Sequence, residues 1–132
     1  MVFSRHGVNF AEIFYYLRFI FIINFLFISF VSFAQTHVGT ASVYNKKYAG
    51  RKTYSGAVYK PEKISAAHPW LPMGTKVEVT NIKTNKSIIV TINDRMAKHT
   101  GYLVDLSSAA ARRIGADLLG LTRVSVKVYL RS

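Results

Sequence analysis

The stretch TKVEVTNIKTNKSIIVTIND, residues 75–94, decides the fold class. Val77 and Val79 alternate with Lys76, Glu78 and Thr80, and Ile88, Val90 and Ile92 repeat the alternation further on. A period of two sends one set of side chains to a buried face and the other to solvent, as in a half-buried strand. The polar NIKTNK between the two runs supplies a turn, so together they form an antiparallel hairpin.

Other short extended runs lie on either side. HVGTASVYN, residues 37–45, alternates small and apolar residues. LVDL, residues 103–106, is extended, and LTRVSVKVYL sets Val124, Val126 and Val128 on one face. KKYAGRKTYSGAVY, residues 46–59, is rich in Gly, Lys and Tyr and has no helical period, so it is loop with extended pieces. In KPEKISAAHPWLPMG, residues 60–74, Pro61 suits the start of a short helix and Pro69 its end. Ser107 or Ser108 can cap a second helix through Ala109–Ile114, which Gly115 closes. A small domain with five or six strands and one or two short helices closes into a barrel or packs as a sandwich, because closure removes exposed strand edges.

Before this domain the composition changes. All nine Phe lie at or before Phe33. Arg5 and Arg18 precede an uncharged apolar run from Phe19 to Phe33, with the small residues Ser32 and Ala34 at its end. Basic start, apolar middle and small-residue boundary are the order of a secretory signal peptide. The alternative is a retained signal anchor. Residues 1–34 are thus expected to be a leader helix and residues 35–132 the exported domain, periplasmic or otherwise in the cell envelope. With no cysteine, neither a disulfide nor a lipid-modified cysteine is expected.

After Ala34 the chain holds 16 Lys and Arg against five acids, a net charge of +11 on 98 residues. Such a field favours anionic partners. Nucleic acid is not expected, since export opposes it and no helix-turn-helix, zinc-finger or RNA-binding signature is present. His37, His68 and His99 lack ligand spacing, so no metal or other cofactor is expected.

The few acids stand out. Asp94 ends a strand, where it is either a general acid at a cleft mouth or a turn residue bonding nearby N–H groups. Asp105 precedes the second helix, where it is either a second cleft carboxylate or a group favoured by the free N–H groups of the helix start. Tyr54, Tyr59 and Arg95 suit sugar contact, since aromatic faces stack on sugar rings and Arg pairs with carboxylates. Trp70, between two prolines, is expected in the core.

GTASVYN, AAHPWLPMGTKVEVTN, VTINDR and VDLSSAAARRIG stand in the order found in the RlpA (rare lipoprotein A) family, which the chain resembles over nearly all of residues 38–130. The resemblance implies a mainly β, six-stranded double-psi β-barrel, acting as an endolytic lytic transglycosylase on peptidoglycan glycan strands that lack stem peptides. It implies Asp94, His68 and Asp105 as catalytic residues, Asp94 being the first choice for the acid. Two departures accompany it. Ala57 stands where the family has Glu, and Met96 and Ala97 replace the Gly-Pro pair after NDR. Ala57 points to the alternative of a non-catalytic peptidoglycan-binding or expansin-like wall-loosening module. A monomer is expected, with membrane attachment only if the leader is retained. Mass spectrometry of the exported protein should give an N-terminus at Gln35; an intact Met1 in the membrane fraction would show an anchor.

Overall fold

The computed structural model describes residues 7, 9–28, 35–118 and 120–129. The chain divides into two compact units, Met1–Phe33 and Ala34–Ser132. The first contains helix α1, Phe10–Ile28. Among the described residues no helix is long and apolar enough to cross a membrane. The expected leader boundary at Ala34 falls outside the described residues.

The second unit contains β1 (Thr36–Val43), β2 (Ser65–His68), β3 (Lys76–Asn81), β4 (Ser87–Arg95), β5 (Val104–Leu106), α2 (Ser108–Arg113) and β6 (Thr122–Val128). Its six strands close into a barrel in the order β1-β5-β2-β4-β3-β6. The β3–β4 hairpin is antiparallel and pairs Val77 with Val90 and Val79 with Ile88. Two pairings are parallel, β1 with β5 and β2 with β4. The inward face of the alternating runs fills the barrel: Val77, Val79, Val90, Ile92, Val104, Leu106 and Val124 are completely buried. Ala110, Ala111 and Ile114 bring α2 against the same core.

The helix expected after Pro61 does not form. Ser65–His68 is strand β2, lying between β4 and β5 with all four residues buried. A strand covered on both faces carries no polar-apolar alternation, so SAAH lacked the signature of a strand. Trp70, expected in the core, is 54% exposed. It lies in the turn after β2, and Leu71 packs on the core instead.

The α2 boundaries follow their caps. Ser107 accepts a hydrogen bond from the Ala110 N–H, and Gly115 takes the left-handed φ of +67° that ends the helix. Asn81, at the end of β3, ties the hairpin turn to this helix. Its Nδ2 donates to the Ile114 carbonyl at 3.0 Å, while its Oδ1 accepts from the Lys83 and Thr84 N–H groups. Asn81→Ala should therefore lower stability by about 1–3 kcal/mol, the cost of stranding buried polar groups. Urea unfolding checks this, and an unchanged midpoint would show that the tie contributes nothing.

Candidate active site

The barrel's closed core leaves its outward face for chemistry, and a single irregularity brings Asp94 onto it beside Asp105. Ala66 of β2 pairs with Ile92, yet the next residue, Ala67, pairs with Asp94. Asn93 is the extra residue of a β-bulge. A one-residue slip exchanges the faces of a strand. Ile92 therefore stays in the core while Asp94 turns to the outward side with Ala67. Ala67 also pairs with Asp105 of β5, and Asp105 with Ser42 of β1. Asp94, Ala67, Asp105 and Ser42 thus form one row across four adjacent strands. The two acids stand two strand spacings apart, about 10 Å between Cα atoms, with Ala67 between them in the row.

The two carboxyls have different surroundings. Asp94 is buried, with donors on both oxygens. Its Oδ1 accepts from the backbone N–H groups of Tyr54 at 2.9 Å and Arg95 at 2.8 Å. Its Oδ2 accepts from the Tyr44 hydroxyl at 2.9 Å. Three donors suit an ionised carboxylate, which is an acceptor only. Asp105 has the Ser42 hydroxyl on Oδ1 at 2.9 Å. Burial pushes its carboxyl up to about 6; the Ser42 bond opposes this and the Asp94 charge adds to it. Asp105 is also not at the helix start: it lies within β5, and Ser107 caps α2.

His68 ends β2 and is 2% exposed. Its Nδ1 accepts from the Trp70 and Leu71 N–H groups at 3.3 and 3.2 Å, so its proton sits on Nε2. Burial, then the Arg95 and His37 charges, lower it to about 4, which keeps the ring neutral at pH 7. Arg95 donates from Nη1 to the His68 carbonyl at 2.9 Å and lies 5.5 Å from the centre of the Tyr54 ring. Tyr54 is 71% exposed and Trp70, which meets His68 edge-on at 4.6 Å, is 54% exposed, so both rings are open to solvent. Tyr59 does not: it is 3% exposed and packed at 4.2 Å against Tyr44, its faces used in the barrel wall.

The loop carrying the departure at Ala57 docks on the same place. The bulge leaves the Asn93 carbonyl to accept from Ser55 N–H at 3.2 Å, and Thr53 closes the loop through its N–H and hydroxyl to the Ala57 carbonyl. Ala57 itself is exposed. Tyr44 is a residue that sequence reasoning missed. Its signal was slight: an aromatic hydroxyl one residue past the end of β1. A cavity of about 800 Å³ opens beside it, lined also by Val43, Lys46, Ser108 and Leu118. Among the described residues no three His, Asp or Glu side chains gather to hold a metal.

Comparison with known proteins agrees with this geometry. Residues 36–126 match the lytic transglycolase family. The chain is 46% identical over 90 residues to the endolytic peptidoglycan transglycosylase RlpA of Pasteurella multocida, covering 68% of this chain and 31% of that protein. It is 42% identical over 94 residues to the protein of the same name from Pseudomonas aeruginosa, covering 71% and 28%. The chain thus spans about a third of the length of the curated relatives it matches. Among solved structures, an expansin of Clavibacter michiganensis superimposes with a TM-score of 0.60 at 18% identity, covering 74% of this chain and 52% of that one. The Streptomyces papain inhibitor gives a TM-score of 0.57 at 20% identity, covering 76% and 99%. These two likenesses show the fold alone. The motifs, the closed six-stranded barrel and the family match agree: the chain belongs to the lytic transglycolase family, as an RlpA-like double-psi β-barrel.

Proposed function

We propose that the barrel is an endolytic peptidoglycan lytic transglycosylase that cuts glycan strands, preferring those without stem peptides, in the cell envelope after export. The observation that supports it most is the pair of unlike carboxyls on one outward row. Asp105 holds its proton up to about pH 6, while Asp94 is surrounded by donors that suit a charge. A carboxyl that keeps its proton, next to one held by three donors, can divide acid and charge-stabilising work with it. On this reading Asp105 carries the proton, rather than Asp94, the first choice from the sequence.

The steps follow. Asp105 protonates the glycosidic oxygen, and the C1–O bond breaks with its electron pair going to that oxygen. Positive charge builds on C1 and the ring oxygen, where the Asp94 carboxylate stabilises it. The 6-hydroxyl oxygen of the same sugar then bonds to C1, and its proton returns to the Asp105 carboxylate. The product is a 1,6-anhydro end and no water is consumed. His68, being neutral, contributes its Nε2–H as a donor rather than carrying a proton. Tyr54, Arg95 and Trp70 line the rim that holds the strand. The net charge of +11 after Ala34 favours the anionic wall polymer. One feature favours the second reading, a barrel that holds glycan without cutting it: Ala57, at the position where the family resemblance implies Glu.

Incubation with amidase-stripped glycan strands, followed by mass spectrometry, should reveal 1,6-anhydro ends. Tight retention of glycan with no such ends would instead establish the binding module. Because Asp105 acts in its protonated form, the rate should fall as pH rises through about 6; a flat profile from about pH 5 to 8 would remove Asp105 from that role. Asp94→Asn and Asp105→Asn should each cost about 10²-fold or more in rate.

Stability separates the two variants. A folded-state pKa above the unfolded 3.8 gives a contribution that is full at low pH and is lost as pH rises through about 6. Asp105→Asn should therefore stabilise the fold near pH 7.5 by up to roughly 3 kcal/mol and give nothing near pH 3. Asp94→Asn, which faces three donors with an amide, should destabilise near pH 7.5. Thermal unfolding at the two pH values reads both.

A further inference from the structure

We propose that Tyr44 is the positioning residue that sets the rotation of the Asp94 carboxylate, an assignment resting on the cleavage reading above. The Tyr44 N–H donates to the Leu106 carbonyl at 2.7 Å, which fixes its backbone against β5. Its hydroxyl reaches Asp94 on β4. The side chain therefore makes a crossing from the end of β1 to β4, which the barrel order separates by β5 and β2.

The ring that makes this crossing is held from two sides. Tyr48 meets it edge-on at 5.6 Å, and Tyr59 lies tilted against it at 4.2 Å. The 3₁₀ turn Lys46–Tyr48 that carries Tyr48 is itself capped by the Asn45 side chain, which accepts from Lys47 N–H. The donor end is equally constrained. Burial first, and then the bond to Asp94, push the Tyr44 hydroxyl upward, so it stays protonated across the working pH range and acts only as a donor.

The division of donors on Asp94 gives the crossing its consequence. Both backbone N–H groups go to Oδ1. Oδ2, the other end of the carboxylate, takes the Tyr44 hydroxyl. The terminal torsion of Asp is broad and has no strong preference of its own. Without the hydroxyl, the carboxylate pivots about its Oδ1 anchor, and its charge leaves the position where oxocarbenium character develops. The ground state, bound mainly at the rim by Tyr54, Arg95 and Trp70, is insensitive to that pivot.

Tyr44→Phe in the full chain tests this, since it keeps the ring and its packing and removes only the hydroxyl. On stripped glycan strands kcat should fall about tenfold or more while KM and retention on purified sacculi stay unchanged. The fall in rate above about pH 6 should keep its place, because Asp105 sets it. Tyr48→Phe, which alters the same aromatic stack without touching Asp94, should leave kcat unchanged. An unaltered kcat in Tyr44→Phe against an active parent overturns the assignment alone. A parallel loss of kcat, retention and melting temperature overturns it too, by showing a structural role. A parent that produces no anhydro ends overturns the cleavage reading, and this assignment with it.

Discussion

The extra residue at Asn93 is the feature on which the outward face depends. Strand β4 must satisfy two demands: Val90 and Ile92 in a sealed core, and a carboxylate two residues later in the row of Ala67 and Asp105. A regular strand cannot do both, because its side chains alternate without exception. The bulge changes the phase of the strand between Ile92 and Asp94, and β2 records the change as the register shift between Ala66 and Ala67. The same irregularity frees the Asn93 carbonyl, which the loop at Ser55 takes up. One inserted residue thus orients an acid and provides the anchor for the loop that walls it.

The electrostatic arrangement follows from who supplies the donors. Backbone N–H groups at Tyr54 and Arg95 come from a docked loop and a strand end, so they are fixed in place before any ligand arrives. They serve Asp94 and leave Asp105 with one hydroxyl. Burial then acts on the less served group. In a domain with so many cations, a carboxyl that keeps its proton has to be shielded from them, and Asp105 achieves this by lying inside the strand row beside Ser42 and Ala67.

Much of the barrel was legible in the residues. The β3–β4 hairpin, the β1 and β6 runs and the capped helix α2 all have one face in the core, so periodicity reports them directly. SAAH was not legible, because β2 is covered on both faces and has no alternation to show. Trp70 was misplaced because bulk alone does not say which side of a turn a ring occupies. In the site, Asp94, Asp105 and His68 stood out by residue type and motif. Their separate roles did not, since these depend on donors brought from residues far away in sequence, such as Tyr44 and Tyr54, and on burial. Tyr59 and Tyr54 are five positions apart and look alike as residues, yet only one faces outward.

The strand order carries a consequence for the birth of the molecule. Strand β6 lies between β1 and β3 and bonds to both. The sixth strand is therefore the closing stave of the barrel, and β1 lacks that neighbour until residues 122–128 exist. A polypeptide emerging N-terminus first can form the other pairings before then, but it cannot close the barrel. Non-local closure of this kind is slow, so the unsealed interval is long. The topology thereby delays commitment to the folded state until essentially the whole domain has arrived.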